Sequence, residues 1–171
     1  SSDLQLRAQI DYLGEEGFPP LVIYPSQLNG KYAELDASSS SQYLSALFLL
    51  APILSPGVRI DTSKHTLASR PYAEMTRQLL AYRGYLWEEE STGVFIYRGK
   101  QQALAGRCEI EADWSAASYA YALLALLPVG SSCTLSGLHL PSLQGDAEAL
   151  CQIFTALGIT TTEGSSGVCL T

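Results

Sequence analysis

Asp36-Ala37-Ser38-Ser39-Ser40-Ser41, running into Gln42-Tyr43-Leu44-Ser45-Ala46-Leu47-Phe48-Leu49-Leu50, decides how this chain folds, because the pattern occurs twice. At an offset of 77 it returns as Asp113-Trp114-Ser115-Ala116-Ala117-Ser118, then Tyr119-Ala120-Tyr121-Ala122-Leu123-Leu124-Ala125-Leu126-Leu127. Ala73-Glu74-Met75 to Gly84 parallels Ala147-Glu148-Ala149 to Gly158 at an offset of 74, and His65 matches His139 at the same spacing. A fixed offset over this length marks a repeated supersecondary unit.

Each copy reads as strand, helix, strand, helix, strand, strand. In the first, the expected order is strand 31–35, helix 41–50 stopped by Pro52, and strand 58–61 after the turn Ser55-Pro56-Gly57. A second helix starts near Pro71, whose missing N–H is not needed there, and ends at Gly84. A hairpin of strands 86–89 and 94–98 closes the unit around Ser91-Thr92-Gly93. The second copy gives strand 107–111, helix 116–127, strand 133–136, helix 146–157 and strands 159–162 and 168–171. Residues 9–13 and 21–24 read as the closing strands of an earlier copy. The fold class is therefore α/β, built of repeated βαβαββ units. The first helix of each copy is apolar nearly all round, which predicts burial on every side. The strands carry Lys31, Glu34, Glu88, Glu89 and Arg98. Helices inside and sheets outside is the expected arrangement.

Composition limits the function classes. The chain has 171 residues, 47% hydrophobic and 16% charged, which suits a folded core rather than disorder. Residues 1–110 hold ten basic and twelve acidic groups (−2), whereas residues 111–171 hold five acidic groups and no basic one (−5). Such a balance argues against nucleic acid and anionic membranes as partners. The longest apolar runs, 44–54 and 116–129, are too short to span a bilayer, which takes about 20 residues. Cys108, Cys133, Cys151 and Cys169 form no CxxC pair and, with two histidines, no close-spaced zinc signature. They are expected as buried, reduced thiols, and with no signal peptide the expected compartment is the cytoplasm. No metal or cofactor motif is present.

Ser38–Ser41 with Gln42 are the first site candidate. One serine, or Asp36, suffices to cap a helix. Four in a row set hydroxyls at the positive end of a helix, an arrangement that suits an anion. Ser69-Arg70-Pro71-Tyr72 open the next helix. If the two helix starts adjoin, they form one pocket with hydroxyls, a cation and an aromatic ring. The second copy lacks this equipment: Leu143-Gln144-Gly145 replaces the Ser-Arg-Pro region, and Asp113 and Asp146 read as helix caps.

Tyr12-Leu13 with Gly17-Phe18-Pro19-Pro20-Leu21, Ser40-Ser41-Gln42-Tyr43-Leu44-Ser45-Ala46-Leu47, Ser69-Arg70-Pro71-Tyr72, Asp113-Trp114-Ser115-Ala116-Ala117-Ser118-Tyr119 and Ser142-Leu143-Gln144-Gly145-Asp146 follow one another in the order and spacing of EPSP synthases. The chain resembles a central portion of that family, roughly two-fifths of a full enzyme. It departs at Trp114, where Ala is common, and at Asp36-Ala37, where Gly is common. The resemblance implies two domains of βαβαββ units forming an inside-out α/β barrel, with residues 1–110 in the shikimate-phosphate-binding domain and 111–171 in the second. It implies transfer of the carboxyvinyl group of phosphoenolpyruvate to shikimate 3-phosphate in aromatic amino acid biosynthesis, without a cofactor. By motif position, Ser40, Ser41 and Ser69 bind the shikimate 3-phosphate, Tyr72 lies beside it, and Gln42 reaches between the two substrates. No catalytic residue of the family's pattern falls in this stretch, so the chain alone is expected to be inactive. Its uncovered helix faces are expected to drive self-association, while the full-length enzyme is expected to be a monomer. A UDP-sugar enolpyruvyl transferase, or a non-catalytic degenerate copy acting as a binding module, are the alternative readings.

Overall fold

The computed structural model of the chain describes residues 6–102 and 109–171. It divides into two compact units, Ser1–Ala105 and Gly106–Thr171.

The first unit opens with an antiparallel pair, β1 (Gln9–Tyr12) and β2 (Leu21–Tyr24). The repeat unit follows as β3 (Tyr32–Glu34), α1 (Gln42–Leu49), a 3-10 turn (Ala51–Ile53), β4 (Arg59–Asp61), α2 (Arg70–Tyr82), β5 (Tyr85–Ser91) and β6 (Val94–Lys100). Its four strands lie in the order β3-β4-β6-β5, with β3 and β4 parallel and the other neighbours antiparallel. The parallel pair follows from the crossover through α1, since two parallel strands need such a connection.

Helix α1 buries Leu44, Leu47 and Phe48, at i, i+3 and i+4, against the sheet. Trp87 of β5 is fully buried in the middle of this core, its ring centroid 5.1 Å from those of Phe48 and Tyr97. Its indole N–H donates to the Phe48 carbonyl at 3.2 Å, so the largest core residue also satisfies a carbonyl near the end of α1. The hairpin turns at Thr92-Gly93. Gly93 has φ +77, and a Cβ there would lie 3.0 Å from the Thr62 hydroxyl. That hydroxyl is needed where it is: Thr62 donates both its hydroxyl (2.8 Å) and its amide (2.7 Å) to the Gly93 carbonyl.

The second unit holds α3 (Trp114–Ala125), β7 (Cys133–Ser136), α4 (Asp146–Ala156), β8 (Thr161–Gly164) and β9 (Gly167–Leu170), with strand order β7-β9-β8, all antiparallel. Trp114, Ala117, Tyr121 and Leu124 form the buried stripe of α3 and pack with Val168 and Leu170 of β9. Burial pushes the Tyr121 phenol up to about 12. It stays neutral at ordinary pH and shares a 2.7 Å hydrogen bond with the Thr161 hydroxyl.

Four expectations change. Residues 107 and 108 of the anticipated strand 107–111 lie outside the described residues, and 109–111 form no strand; Ala112 N–H instead donates to the Gly137 carbonyl at 2.7 Å. The first helices are not buried all round: Tyr43 and Leu49 of α1, and Tyr119 and Leu123 of α3, are exposed. A single sheet and one partner helix cover only one side of each. Cys133, Cys151 and Cys169 are free thiols but only half-buried, and Cys108 lies outside the described residues. Asp113 caps α3 by accepting the Ser115 amide at 2.8 Å, but Asp146 is not a cap: Gly145 precedes α4, and the Asp146 carboxylate accepts a hydrogen bond from the Ser115 hydroxyl.

Candidate functional site

The starts of α1 and α2 do meet. Ser40, Ser41, Gln42, Ser69 and Tyr72 line one cleft of about 460 Å³, together with Ser45, Ala46, Leu49, Met75 and Thr76. The latter five were not singled out from sequence. Their signal is helical spacing, since 45, 46 and 49 follow Gln42 by three, four and seven, and 75 and 76 follow Tyr72 by three and four.

Neither Ser41 nor Ser69, the residues that precede α1 and α2, spends its hydroxyl on a helix cap. Ser41 precedes α1 and is 4% exposed, yet its side chain makes no cap hydrogen bond; its carbonyl accepts the Ser45 amide at 3.0 Å. Ser40 Oγ accepts the Gln42 amide at 3.2 Å. Ser38 and Ser39 do not line the cleft; the Ser38 hydroxyl and its amide, the latter at 2.9 Å, hold the Asp36 carboxyl below its ordinary range. Asp36 is thereby turned to the serine loop, not the helix start. Ser69 precedes α2 with φ 46 and ψ 44, left-handed backbone that is uncommon for a residue with a Cβ, and also makes no side-chain cap bond. Pro71 stands in the first turn of α2, as expected. The Tyr72 amide donates to the Ser69 carbonyl at 3.1 Å, and the Thr76 hydroxyl donates to the Tyr72 carbonyl at 3.1 Å.

Arg70 is not part of this cleft, contrary to the one-pocket expectation. Its guanidinium donates to the Glu89 carboxylate on β5 and lines a neighbouring cavity with Thr62, Lys64, His65, Thr92 and Gly93. The cleft between the helix starts therefore contains hydroxyls, an amide side chain and apolar walls, with no charged side chain among its lining residues. Its field comes from the positive ends of two helices.

The repeat provides an internal comparison. The corresponding cleft of the second unit, about 250 Å³, is lined by Ser115, Ser118, Asp146, Ala149, Leu150 and Ile153. There Ser115 is bound to a carboxylate, and the Ser118 hydroxyl donates to the Ser115 carbonyl at 2.6 Å. Gln144, standing near the position of Ser69, accepts the Trp114 amide at 2.9 Å and donates to the Ala112 carbonyl at 2.8 Å. A carboxylate at a helix start repels an anion. Of these two clefts, the one in the first unit has no carboxylate among its lining residues. Among the described residues no group of three His, Cys, Asp or Glu could hold a metal ion, and no helix is long and apolar enough to cross a membrane.

Residues 4–169 match the family model described as EPSP synthase (3-phosphoshikimate 1-carboxyvinyltransferase). The chain belongs to the EPSP synthase family. A 3-phosphoshikimate 1-carboxyvinyltransferase of Bacteroides fragilis (strain YCH46) is 36% identical over 166 residues, which cover 96% of this chain and 39% of the relative. The enzyme of that name from Klebsiella pneumoniae (strain 342) is also 36% identical, over 165 residues covering 96% of this chain and 38% of its own. Among solved structures, EPSP synthase from Acinetobacter baumannii matches with a TM-score of 0.65 at 20% identity, over 96% of this chain and 36% of that one. At that identity the likeness shows a shared mixed α/β fold. The chain spans about two-fifths of the length of these relatives.

Proposed function

We propose that this EPSP synthase chain supplies the shikimate 3-phosphate site of a 3-phosphoshikimate 1-carboxyvinyltransferase. Ser40, Ser41 and Ser69 donate hydroxyl hydrogen bonds to the phosphate, Tyr72 packs beside it, and Gln42 reaches toward the second substrate, phosphoenolpyruvate. In the full reaction the 5-hydroxyl of shikimate 3-phosphate adds to C2 of phosphoenolpyruvate while C3 gains a proton. The tetrahedral intermediate then loses phosphate and a proton from C3, leaving the carboxyvinyl ether. The acid and base for these steps, and the cations that hold phosphoenolpyruvate, are assigned to the remaining three-fifths of the relatives' length. The 171-residue chain alone then gives no turnover.

The observation that supports this reading is the convergence of all five residues on one cleft that carries no carboxylate, in a chain of this family. Hydroxyls and helix starts suit a phosphate without a lysine or arginine. On the same reading residues 1–110 belong to the shikimate-phosphate domain, 111–171 to the second, and the compartment is the cytoplasm. The exposed apolar faces of α1 and α3 are those that an arrangement with helices inside would bury. Left uncovered they favour self-association of the chain.

Shikimate 3-phosphate titrated into the chain is expected to bind saturably. Ser69→Ala is expected to weaken it about tenfold, the loss of one hydrogen bond to a charged group worth about 1.5 kcal/mol. Ser40→Ala is expected to match it and also to cost α1 about 1 kcal/mol, because Ser40 Oγ holds the Gln42 amide. Unchanged affinity in both variants would contradict the assignment.

A further inference from the structure

We infer that the Arg70–Glu89 ion pair is a positioning device for the cleft, holding Ser69 in its left-handed backbone so that its hydroxyl meets the phosphate. The inference rests on the phosphate reading of the cleft. Ser69 and Arg70 are consecutive but face different cavities: Ser69 lines the cleft between the helix starts, and Arg70 lines the cavity floored by Thr62, Thr92 and Gly93. A left-handed residue with a Cβ persists only where its surroundings hold it.

Three tethers surround Ser69. On its N-terminal side the Ala68 amide donates to the Ala37 carbonyl at 3.1 Å, joining this turn to the serine loop. Within α2 the Tyr72 amide returns to the Ser69 carbonyl. On its C-terminal side Arg70 is drawn off to Glu89, whose other carboxylate oxygen accepts the Gly93 amide at 2.9 Å. Gly93 is itself fixed by Thr62. Glu89 is therefore anchored on the β5–β6 turn, and it pulls the residue after Ser69 away from the cleft. Without this pull Arg70 is free to swing, and the first turn of α2 can relax to ordinary helical dihedrals that redirect the Ser69 hydroxyl. Side-chain exposures of 46% for Arg70 and 24% for Glu89 make this a partly screened pair, so its role lies in geometry more than in stability.

The test is a double-mutant cycle on the 171-residue chain, read as the dissociation constant for shikimate 3-phosphate. Glu89→Gln and Arg70→Met are each expected to weaken binding about fivefold, while Arg70→Lys, which keeps the charge, restores most of the affinity. In a Ser69→Ala background Glu89→Gln is expected to add no further loss. In the ligand-free chain the amide–Hα coupling of Ser69 is expected to move from its left-handed value toward the helical one in Glu89→Gln, with the unfolding transition nearly unchanged. Independent, multiplying effects of Glu89→Gln and Ser69→Ala would overturn the inference, as would full affinity in Glu89→Gln and Arg70→Met while Ser69→Ala is weakened. Absence of binding by the unaltered chain would overturn the functional reading beneath it.

Discussion

Trp87→Ala is expected to remove about 3–5 kcal/mol from the stability of the first unit, the range for emptying a buried aromatic site. Trp87 is fully buried and lies 5.1 Å from both Phe48 and Tyr97, and Phe48 lies 5.1 Å from Phe95 in turn. Alanine leaves a cavity between β5 and α1 and strips the Phe48 carbonyl of its 3.2 Å donor. The surrounding rings come from two elements, Phe48 from α1 and Phe95 and Tyr97 from β6, so they cannot close the space together without moving the helix against the sheet. The loss reaches the cleft, because α1 ends at this contact and begins at the cleft serines. Urea unfolding followed by far-ultraviolet circular dichroism checks it. Trp114 in the second unit serves as the remaining fluorescent reporter of the unaffected half. Trp87→Phe, which fills most of the volume but loses the N–H, is expected to fall between the two. A loss below about 1 kcal/mol for Trp87→Ala would show that the core of this unit lies elsewhere.

In the second unit the largest effect is expected at Gly167. A Cβ there would stand 2.0 Å from the Leu135 carbonyl oxygen and 2.8 Å from the Ser136 Cα, distances that only a backbone shift can relieve. Gly167 opens β9, the central strand, and is paired with both Ser136 of β7 and Gly164 of β8. Separation at this point disturbs both neighbours and the fully buried Val168 and Leu170 behind them. Gly167→Ala is expected to cost about 4 kcal/mol, at the upper end for single substitutions, and to speed amide exchange along all three strands. Gly164→Ala is the control. Its added Cβ meets only the Gly167 carbonyl at 3.4 Å, which leaves the ladder in place. Equal effects of the two substitutions would contradict this account of the sheet.

The repeat made most of this architecture legible. The apolar run of the first helix, and the punctuation by Pro52, Pro71 and Gly84, fixed elements to within a residue or two, because these signals are local. The cleft was legible for the same reason: two runs of hydroxyl residues at two helix starts meet wherever the helices pack side by side. The direction of Arg70 was not legible. It depends on Glu89, nineteen residues away across a hairpin, and a sequence shows no such pairing. Nor was the contact between Ser115 and Asp146, thirty-one residues apart, which turned an apparent cap into the feature that separates the two clefts. The exposure of Tyr43 and Tyr119 was missed because an all-round apolar helix specifies what it requires, not how many neighbours one unit supplies.

Chemical-shift mapping of shikimate 3-phosphate on the isotope-labelled chain tests the central claim most directly, because both clefts report in one titration. The account predicts saturable shifts at the amides of Ser40, Ser41, Gln42, Ser69 and Tyr72, with none at Ser115, Ser118 or Asp146. Shifts centred on the second cleft, or no shifts at the five residues at ligand saturation, would contradict it.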